Sequence, residues 1–351
     1  MRSDTVSITE QALQAFVAEA LASQGVPQTD AGKVASLMTQ ADLLGYDTHG
    51  VFRLRQYMAR LRDGGCNANA QVKTVQESAA TAVVDGDNGL GHLAMDAARE
   101  IAMQKANESG IGWVGIRRGN HAGPLALYVR PQTNSGMIGM AAAVGSANHV
   151  PPYGSRDILL GTNPIAIAAP SEGADPFVLD MATTVAAMGK IKTLAQRGEP
   201  MPEGWMLAQD GTPLTDPKAR SDGFMLPIGG AKGFGLSVAI GLMAGVLNGA
   251  AFGSDVVDFT KDTTSETNTG QFVLALDISA FGALDDFRSN STRVFDELCA
   301  STPLPGYAPV RIPGQGKADL LSTNNTDGIP VNKALFDDLQ QLADEFQLPR
   351  L

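Results

Sequence analysis

TAVVDGDNGLGHLAMDAAREIAMQKANESGIGWVGI, residues 81–116, reads as strand, helix and strand. TAVVD (81–85) and IGWVGI (111–116) are apolar and rich in β-branched residues, whereas Met95 to Asn107 is dominated by helix-favouring Ala, Met, Glu, Gln and Lys. Further strands are expected at MIGMAAAV (137–144), PIAIAA (164–169), PFVLDM (176–181) and QFVLALDI (271–278). Several of these are apolar without alternation, as in a sheet covered on both faces. The middle of the chain is therefore α/β. Between the first strand and its helix lies Gly89-Leu90-Gly91-His92-Leu93-Ala94, which imitates the G-x-G-x-x-A dinucleotide turn. The strand ends at Asp85, too early for that tight turn, and the next strand ends in Arg117-Arg118 where the fingerprint needs an acid. The motif reads as a structural turn.

Outward from this unit, the amino-terminal region is helical. Ser7 with Glu10 forms a capping-box pattern ahead of a run to Ser23, stopped by Gly25 and Pro27; Thr29 or Asp30 can cap a second helix reaching Leu44; a third runs from about Gly50 to Arg62. Residues 1–75 are expected to form a helical subdomain joined by part of 300–351, with 76–300 as the α/β cofactor- and substrate-binding region. A Gly/Ala-rich helix after Lys232 and a closing helix from Asn332 to Phe346 complete the elements, and 253–270 and 301–331 read as loops. Gly233 to Gly253 is long enough to span a bilayer, but its internal glycines, Asn248 and lack of basic flanks favour a buried, closely packed helix.

The 351 residues carry a net charge of −11 with the acids spread along the chain, which argues against nucleic acid as a partner. Cys66 and Cys299 form no C-x-x-C, so a reduced intracellular protein without a cysteine metal cluster is expected. The opening MRSDTVSITEQ lacks a signal-type apolar core, which makes the cytoplasm the default. No P-loop and no zinc-type histidine spacing occurs, and no metal is expected.

DTHGVFRL (47–54) places His49 at the opening of the third helix with Arg53 four residues on, hence on one face. An imidazole can exchange a proton with a reacting oxygen, and a guanidinium fork can hold a carboxylate. The same spacing also suits a helix-end histidine beside a solvated arginine. A second histidine, His121, lies in RGNHAGP directly after a strand, where ligands gather in α/β sheets. His92 and His149 have weaker settings. LDMATT (179–184) sets an acid and hydroxyls at a strand end, and GGAKGFG (229–235) sets Lys232 at a helix start, where a phosphate is favoured.

At these residues the sequence resembles the malate/L-lactate dehydrogenase family of non-Rossmann type, which includes sulfolactate, ureidoglycolate, diketogulonate and piperideine-2-carboxylate oxidoreductases. DTHGVFRLRQY, VDGDNGLGH, RGNHAGPLALY, PPYGSRDILLGTNPIAIAAP, FVLDMAT, PEGW, LPIGGAKGFGLS and VRIPGQG follow the family order over nearly the whole chain. The resemblance implies an α/β, L-sulfolactate dehydrogenase-like fold with a mixed sheet flanked by helices, a homodimer, and NADH or NADPH. It implies catalytic roles for His49, His121 and Asp180, and substrate contacts for Thr48 and Arg53. Cofactor contacts are implied for Ser146, Leu179, Asp180, Met181, Ala182, Thr183, Thr184, Val185, Ala231, Lys232, Gly314 and Gln315. Departures from the family pattern are Thr48 in place of the usual Ser, AAAVGSANHV (141–150) in place of a polar Thr-Asn, and Gln315 in place of Glu.

The expected activity is hydride transfer between nicotinamide and C2 of a small 2-oxo/2-hydroxy acid. Reduction of cyclic 2-imino acids, or ligand binding without catalysis, are the alternatives. The shared helix face of His49 and Arg53 favours His49 for the proton.

Overall fold

The computed structural model describes residues 5–351; the first four residues of the polar opening lie outside the described residues. The amino-terminal part contains β1 (Thr5–Ile8), α1 (Glu10–Ser23), α2 (Gln28–Leu43) and α3 (Leu54–Asp63). The central part follows with β2 (Lys73–Glu77), β3 (Thr81–Asp85), α4 (Gly91–Ser109), β4 (Ile111–Gly119), α5 (Ala126–Thr133), β5 (Met137–Ala143), β6 (Ile165–Ala169) and β7 (Phe177–Met181). Then come α6 (Met188–Arg197), a small hairpin of β8 (Met206–Ala208) and β9 (Gly223–Met225), α7 (Ala231–Ile240) and β10 (Thr269–Asp277). The chain closes with α8 (Leu284–Cys299), α9 (Lys317–Asp327), β11 (Ile329–Asn332) and α10 (Lys333–Phe346).

Seven strands form one sheet in the order β2-β3-β4-β10-β5-β6-β7. Only β3 and β4 run parallel, joined by the crossover helix α4, and every other neighbouring pair is antiparallel. This is a mixed sheet with β10, a late strand, at its centre. Val114, Ile116, Ala141, Ala142, Phe272, Val273 and Ala275 are buried, so both faces are covered. On one side α4 lies close, because Ala94, Ala98, Ala102 and Ala106 are all buried at a four-residue spacing and present only methyl groups. The α7 side contributes Ile240 and Ala244 against Phe272 and Ile165.

A separate apolar cluster gathers Leu13, Val17 and Leu21 of α1, Val34 and Met38 of α2, and Leu54 and Met58 of α3. Ile329 and Val331 of β11, Leu339 and Leu342 of α10, and Phe259 of a distant loop complete it. The pairing of β1 with β11, Thr5 opposite Asn332, ties the two chain ends together.

Several local expectations are corrected. Ser7 lies in β1 and caps nothing; Thr9 is the cap of α1 and accepts from Ala12 N at 3.2 Å. Neither Thr29 nor Asp30 caps α2, which starts at Gln28 after Pro27. The segment 301–331, expected as loop, contains α9 and β11. The helix after Lys232 continues through π and 3-10 turns to Asn248 and is the one run among the described residues long and apolar enough to cross a bilayer. It is buried on one face only: Gly241, Ala244 and Gly245 pack inward, and Leu236, Leu242, Val246 and Leu247 are exposed.

Candidate active site

Residues 47–50 form a turn, and the chain enters α3 through a 3-10 turn, Val51–Arg53. His49 therefore does not open a helix, and the shared-face argument linking it to Arg53 fails. A backbone contact joins them instead. Arg53 Nε donates to Thr48 O at 2.9 Å, and Thr48 Oγ1 lies 2.8 Å from His49 Nδ1. Asp42 at the end of α2 holds this turn by accepting from Val51 N at 2.8 Å. The Arg53 guanidinium rests over the Phe52 and Phe259 rings, 5.3 and 5.9 Å from their centroids. Its two terminal nitrogens have no hydrogen-bond or ion-pair partner among the described residues.

His121 arrives from the other side, on the loop between β4 and α5. Its ring stacks on His49 with centroids 5.7 Å apart and on Phe259 at 4.9 Å, in the second case with the planes 3° from parallel. Tyr57 Oη lies 2.6 Å from His121 Nδ1, and Gly123 N–H approaches the same nitrogen at 3.4 Å. An N–H can only donate, so Nδ1 is the acceptor, the Tyr57 hydroxyl donates to it, and the neutral ring carries its proton on Nε2. Sequence reasoning missed Tyr57. Its signal lies in the buried positions of α3, Leu54, Tyr57, Met58 and Leu61, which follow helical spacing: a tyrosine among them needs a partner for its hydroxyl.

Burial, with the Arg53 charge second, pushes His49 down to about 4. Burial, Arg53 and the neighbouring histidines hold His121 well below the usual imidazole range. Both rings are thus neutral near pH 7. His92 is fully buried, edge-on to Tyr57 at 5.5 Å, and burial pushes it down to about 3. Asp180 is not joined to either histidine by a hydrogen bond among the described residues. Its Oδ2 accepts from Ala126 N at 2.8 Å, capping α5, and burial raises its carboxyl to about 6 against the backbone donors and Lys317.

Most of the expected cofactor segments come together. Thr183 N and Oγ1 both donate to Thr162 O at 2.9 Å, Val185 N donates to Leu226 O, and Ile228 N donates to Thr183 O, which lays residues 183–185 beside the turn leading to Ala231 and Lys232. Ser146 O accepts from Phe259 N at 3.1 Å, so this loop adjoins the ring stacked on His121. Gly229 and Gly230 have φ of +59° and +63°, α7 has no side-chain cap, and Lys232 is exposed. Uncapped N–H groups, a left-handed glycine turn and a free ammonium fit a nucleotide phosphate. Gly314 instead packs on Pro176 and Val178 early in β7, and Gln315 Oε1 accepts from Ile312 N at 3.2 Å.

The site's residues lie within a chain that is similar throughout to known enzymes. A family model described as malate/L-lactate dehydrogenase matches residues 8–340. A malate dehydrogenase of Pyrococcus abyssi is 34% identical over 347 residues, covering 96% of this chain and 94% of that protein. The solved sulfolactate dehydrogenase of Methanocaldococcus jannaschii superposes with a TM-score of 0.89 at 34% identity, over 98% of each chain. A delta1-piperideine-2-carboxylate reductase of Pseudomonas syringae gives 0.86 at 29% identity, over 97% of this chain and 100% of the other.

Proposed function

This chain belongs to the malate/L-lactate dehydrogenase family, and on that premise we propose that Arg53 holds the substrate carboxylate while His121 exchanges the proton of the reaction. The enzyme is a nicotinamide-dependent oxidoreductase acting between a small 2-oxo acid and its 2-hydroxy acid. When bound, the nicotinamide supplies or accepts the hydride at C2. The observation that carries the assignment of roles is the pair of terminal nitrogens on Arg53 that have no partner among the described residues, beside two stacked neutral imidazoles. A carboxylate accepts two parallel hydrogen bonds from such a fork, which leaves C2 and its oxygen facing the rings.

To accept the proton of a C2 hydroxyl at Nε2, neutral His121 must first move its own proton from Nε2 to Nδ1, with that N–H then donating to Tyr57 Oη. In reduction the ring must first be protonated, and a carboxylate on Arg53 cancels the cationic field that opposes this. Tyr57 orients His121, His49 packs against it with Thr48 at its Nδ1, and Asp180 acts through α5 rather than on an imidazole. Ser146, residues 179–185, Ala231 and Lys232 are assigned to the cofactor, and Gly314 and Gln315, which pack by the start of β7 and on Ile312, are assigned to it on the family resemblance alone. We take the enzyme to be a cytoplasmic homodimer acting on small molecules. The exposed Leu242, Val246 and Leu247 support a contact between copies, which sedimentation equilibrium checks.

A second reading, reduction of a cyclic 2-imino acid, is favoured by the likeness to the piperideine-2-carboxylate reductase and would use the same Arg53 fork. Substrate panels separate the two readings. Arg53→Lys should raise KM for the acid about 10-fold or more and leave cofactor Kd unchanged, because lysine keeps the charge and loses the fork. His121→Ala should lower single-turnover hydride transfer by about 10²–10⁴ and His49→Ala by less. Wild-type kinetics in Arg53→Lys, or the reverse order of the two histidine variants, would overturn these roles.

A further inference from the structure

Phe259 stands where the two halves of the site meet. Its ring stacks on His121 with centroids 4.9 Å apart and planes 3° from parallel, and the Arg53 guanidinium lies 5.9 Å from the same ring. One side chain thus borders both the group assigned to the proton and the group assigned to the carboxylate. Its backbone is pinned on both sides. Phe259 N donates to Ser146 O at 3.1 Å, and Phe259 O accepts from Gln56 Nε2 at 2.6 Å. Gln56 and Tyr57 are consecutive in α3, so one helix holds Phe259 through the first and His121 through the second. One turn further on, Arg60 Nη2 donates to Ser265 O at 2.8 Å and Arg60 Nη1 donates to Asp262 O, which fastens the rest of the loop to the same helix. Within the loop, Asp258 Oδ1 accepts from Thr260 N at 3.0 Å and Asp262 Oδ1 accepts from Ser265 N at 2.8 Å.

The loop so anchored is polar and exposed at Thr260, Lys261, Thr264 and Ser265, and what it delivers inward is this one buried ring. The charged and titratable groups about the His121 imidazole are Arg53, His49, His92 and Tyr57, with Arg60 and Cys66 across a small cavity that borders both His121 and Phe259. None of these is a carboxylate. An imidazolium formed there faces cations and neutral groups, and the π face of the parallel Phe259 ring attracts it, as it attracts the guanidinium. Without the ring, His121 has room to turn toward the cavity and Arg53 keeps the Phe52 ring alone.

We propose that Phe259 is a positioning residue of the reaction, whose ring holds His121 and Arg53 in register with each other and favours the protonated His121 that gives its proton to the substrate in reduction. The inference rests on the reading of His121 as the proton-exchanging group and Arg53 as the carboxylate site. The ring acts on two quantities at once: on the pH at which His121 ionises, through its quadrupole, and on the seating of the acid, through Arg53. Its attachment to Ser146 and Gln56 is made by backbone atoms, so a changed side chain leaves the loop tied to the cofactor segment. Phe259 also belongs to the amino-terminal apolar cluster, and a residue that only filled that cluster would change stability and neither of these quantities.

The test follows single-turnover hydride transfer against pH, with whichever of oxaloacetate, pyruvate and piperideine-2-carboxylate the wild type reduces fastest. It compares wild type with Phe259→Leu and with enzyme carrying trifluorophenylalanine at this position, which keeps the shape of the ring and removes most of its π charge. In both variants the pH at which the reduction rate is halved should fall by about one pH unit, and KM for the substrate should rise about 3- to 10-fold, with cofactor Kd within about 2-fold of wild type. The fluorinated enzyme preserves the packing, so it reports on the ring's charge whether or not Phe259→Leu folds well. A wild-type pH profile and KM in the fluorinated enzyme would overturn the proposal and leave Phe259 as packing, and so would a change confined to cofactor Kd. A halving pH that persists unaltered in His121→Ala would instead overturn the reading on which the inference rests, because the ionisation would then belong to another group.

Discussion

Gly91→Ala is the most informative single change, because two readings of the GLG motif predict opposite losses. Gly91 is the first residue of α4 and is not among the glycines with positive φ, so alanine brings no backbone strain. It brings a collision. A Cβ there would overlap the Asn120 carbonyl oxygen and sit 2.7 Å from the His121 carbonyl oxygen. An ordinary carbon–oxygen approach is about 3.3 Å, so the His121 loop must retreat by at least about 0.6 Å, and further at Asn120.

That loop has little freedom to comply. Asn120 O accepts from Gln271 Nε2 at 2.9 Å, and Asn120 Nδ2 donates to Asn88 O, Asn88 Oδ1 and Gly89 O at 3.0, 2.9 and 2.9 Å. Overpacking of this kind costs about 1–3 kcal/mol. The shift also drags His121 away from Tyr57 and Arg53, and a misplacement near 1 Å costs about 10²-fold in rate. Single-turnover hydride transfer should therefore fall by one to two orders of magnitude, estimated as about 10–10²-fold, and Tm should drop by several degrees. Cofactor Kd should match wild type, because the Gly229–Lys232 turn is untouched. Wild-type rate and Tm in Gly91→Ala would refute the close approach, and loss of cofactor binding alone would restore the motif as a nucleotide turn.

Two further changes probe the supports of the site. Tyr57→Phe removes the hydroxyl that donates to His121 Nδ1, and kcat should fall about 10-fold or more with KM for the acid nearly unchanged and the pH–rate profile displaced; an unaltered profile would remove Tyr57 from the proton's path. Asp42, raised by burial from 3.8 to about 7, binds its proton more tightly folded than unfolded, so its contribution to stability is full below the unfolded value and is lost as pH rises through about 7. Asp42→Asn keeps an acceptor for Val51 N–H without the charge. Its Tm relative to wild type should rise between about pH 5 and pH 8, and a flat difference would show that Asp42 is ionised throughout.

Much of the fold was legible because its signals are local. The runs at 137–143, 165–169 and 177–181 announce their strands by composition. Asn332 announces α10 by its cap, accepting from Leu335 N at 2.8 Å. The order of the motifs announces the family, since each is a short stretch whose residue types survive without any partner in view. Tertiary structure decided what depends on partners distant in the chain. Helix α9 forms in a Ser-, Thr- and Asn-rich segment of poor intrinsic propensity because Asp175 accepts from Gly316 N and Ala318 N and Lys317 Nζ donates to Leu44 O. Strand β10 enters between β4 and β5 because a strand's composition states that it will pair and not with which neighbour. The site follows the same rule. His49, Arg53 and His121 were visible as residue types, but their meeting rests on Thr48 O accepting from Arg53, on Tyr57 reaching His121 from α3, and on Phe259 arriving from a loop some two hundred residues later, a proximity that sequence spacing does not encode.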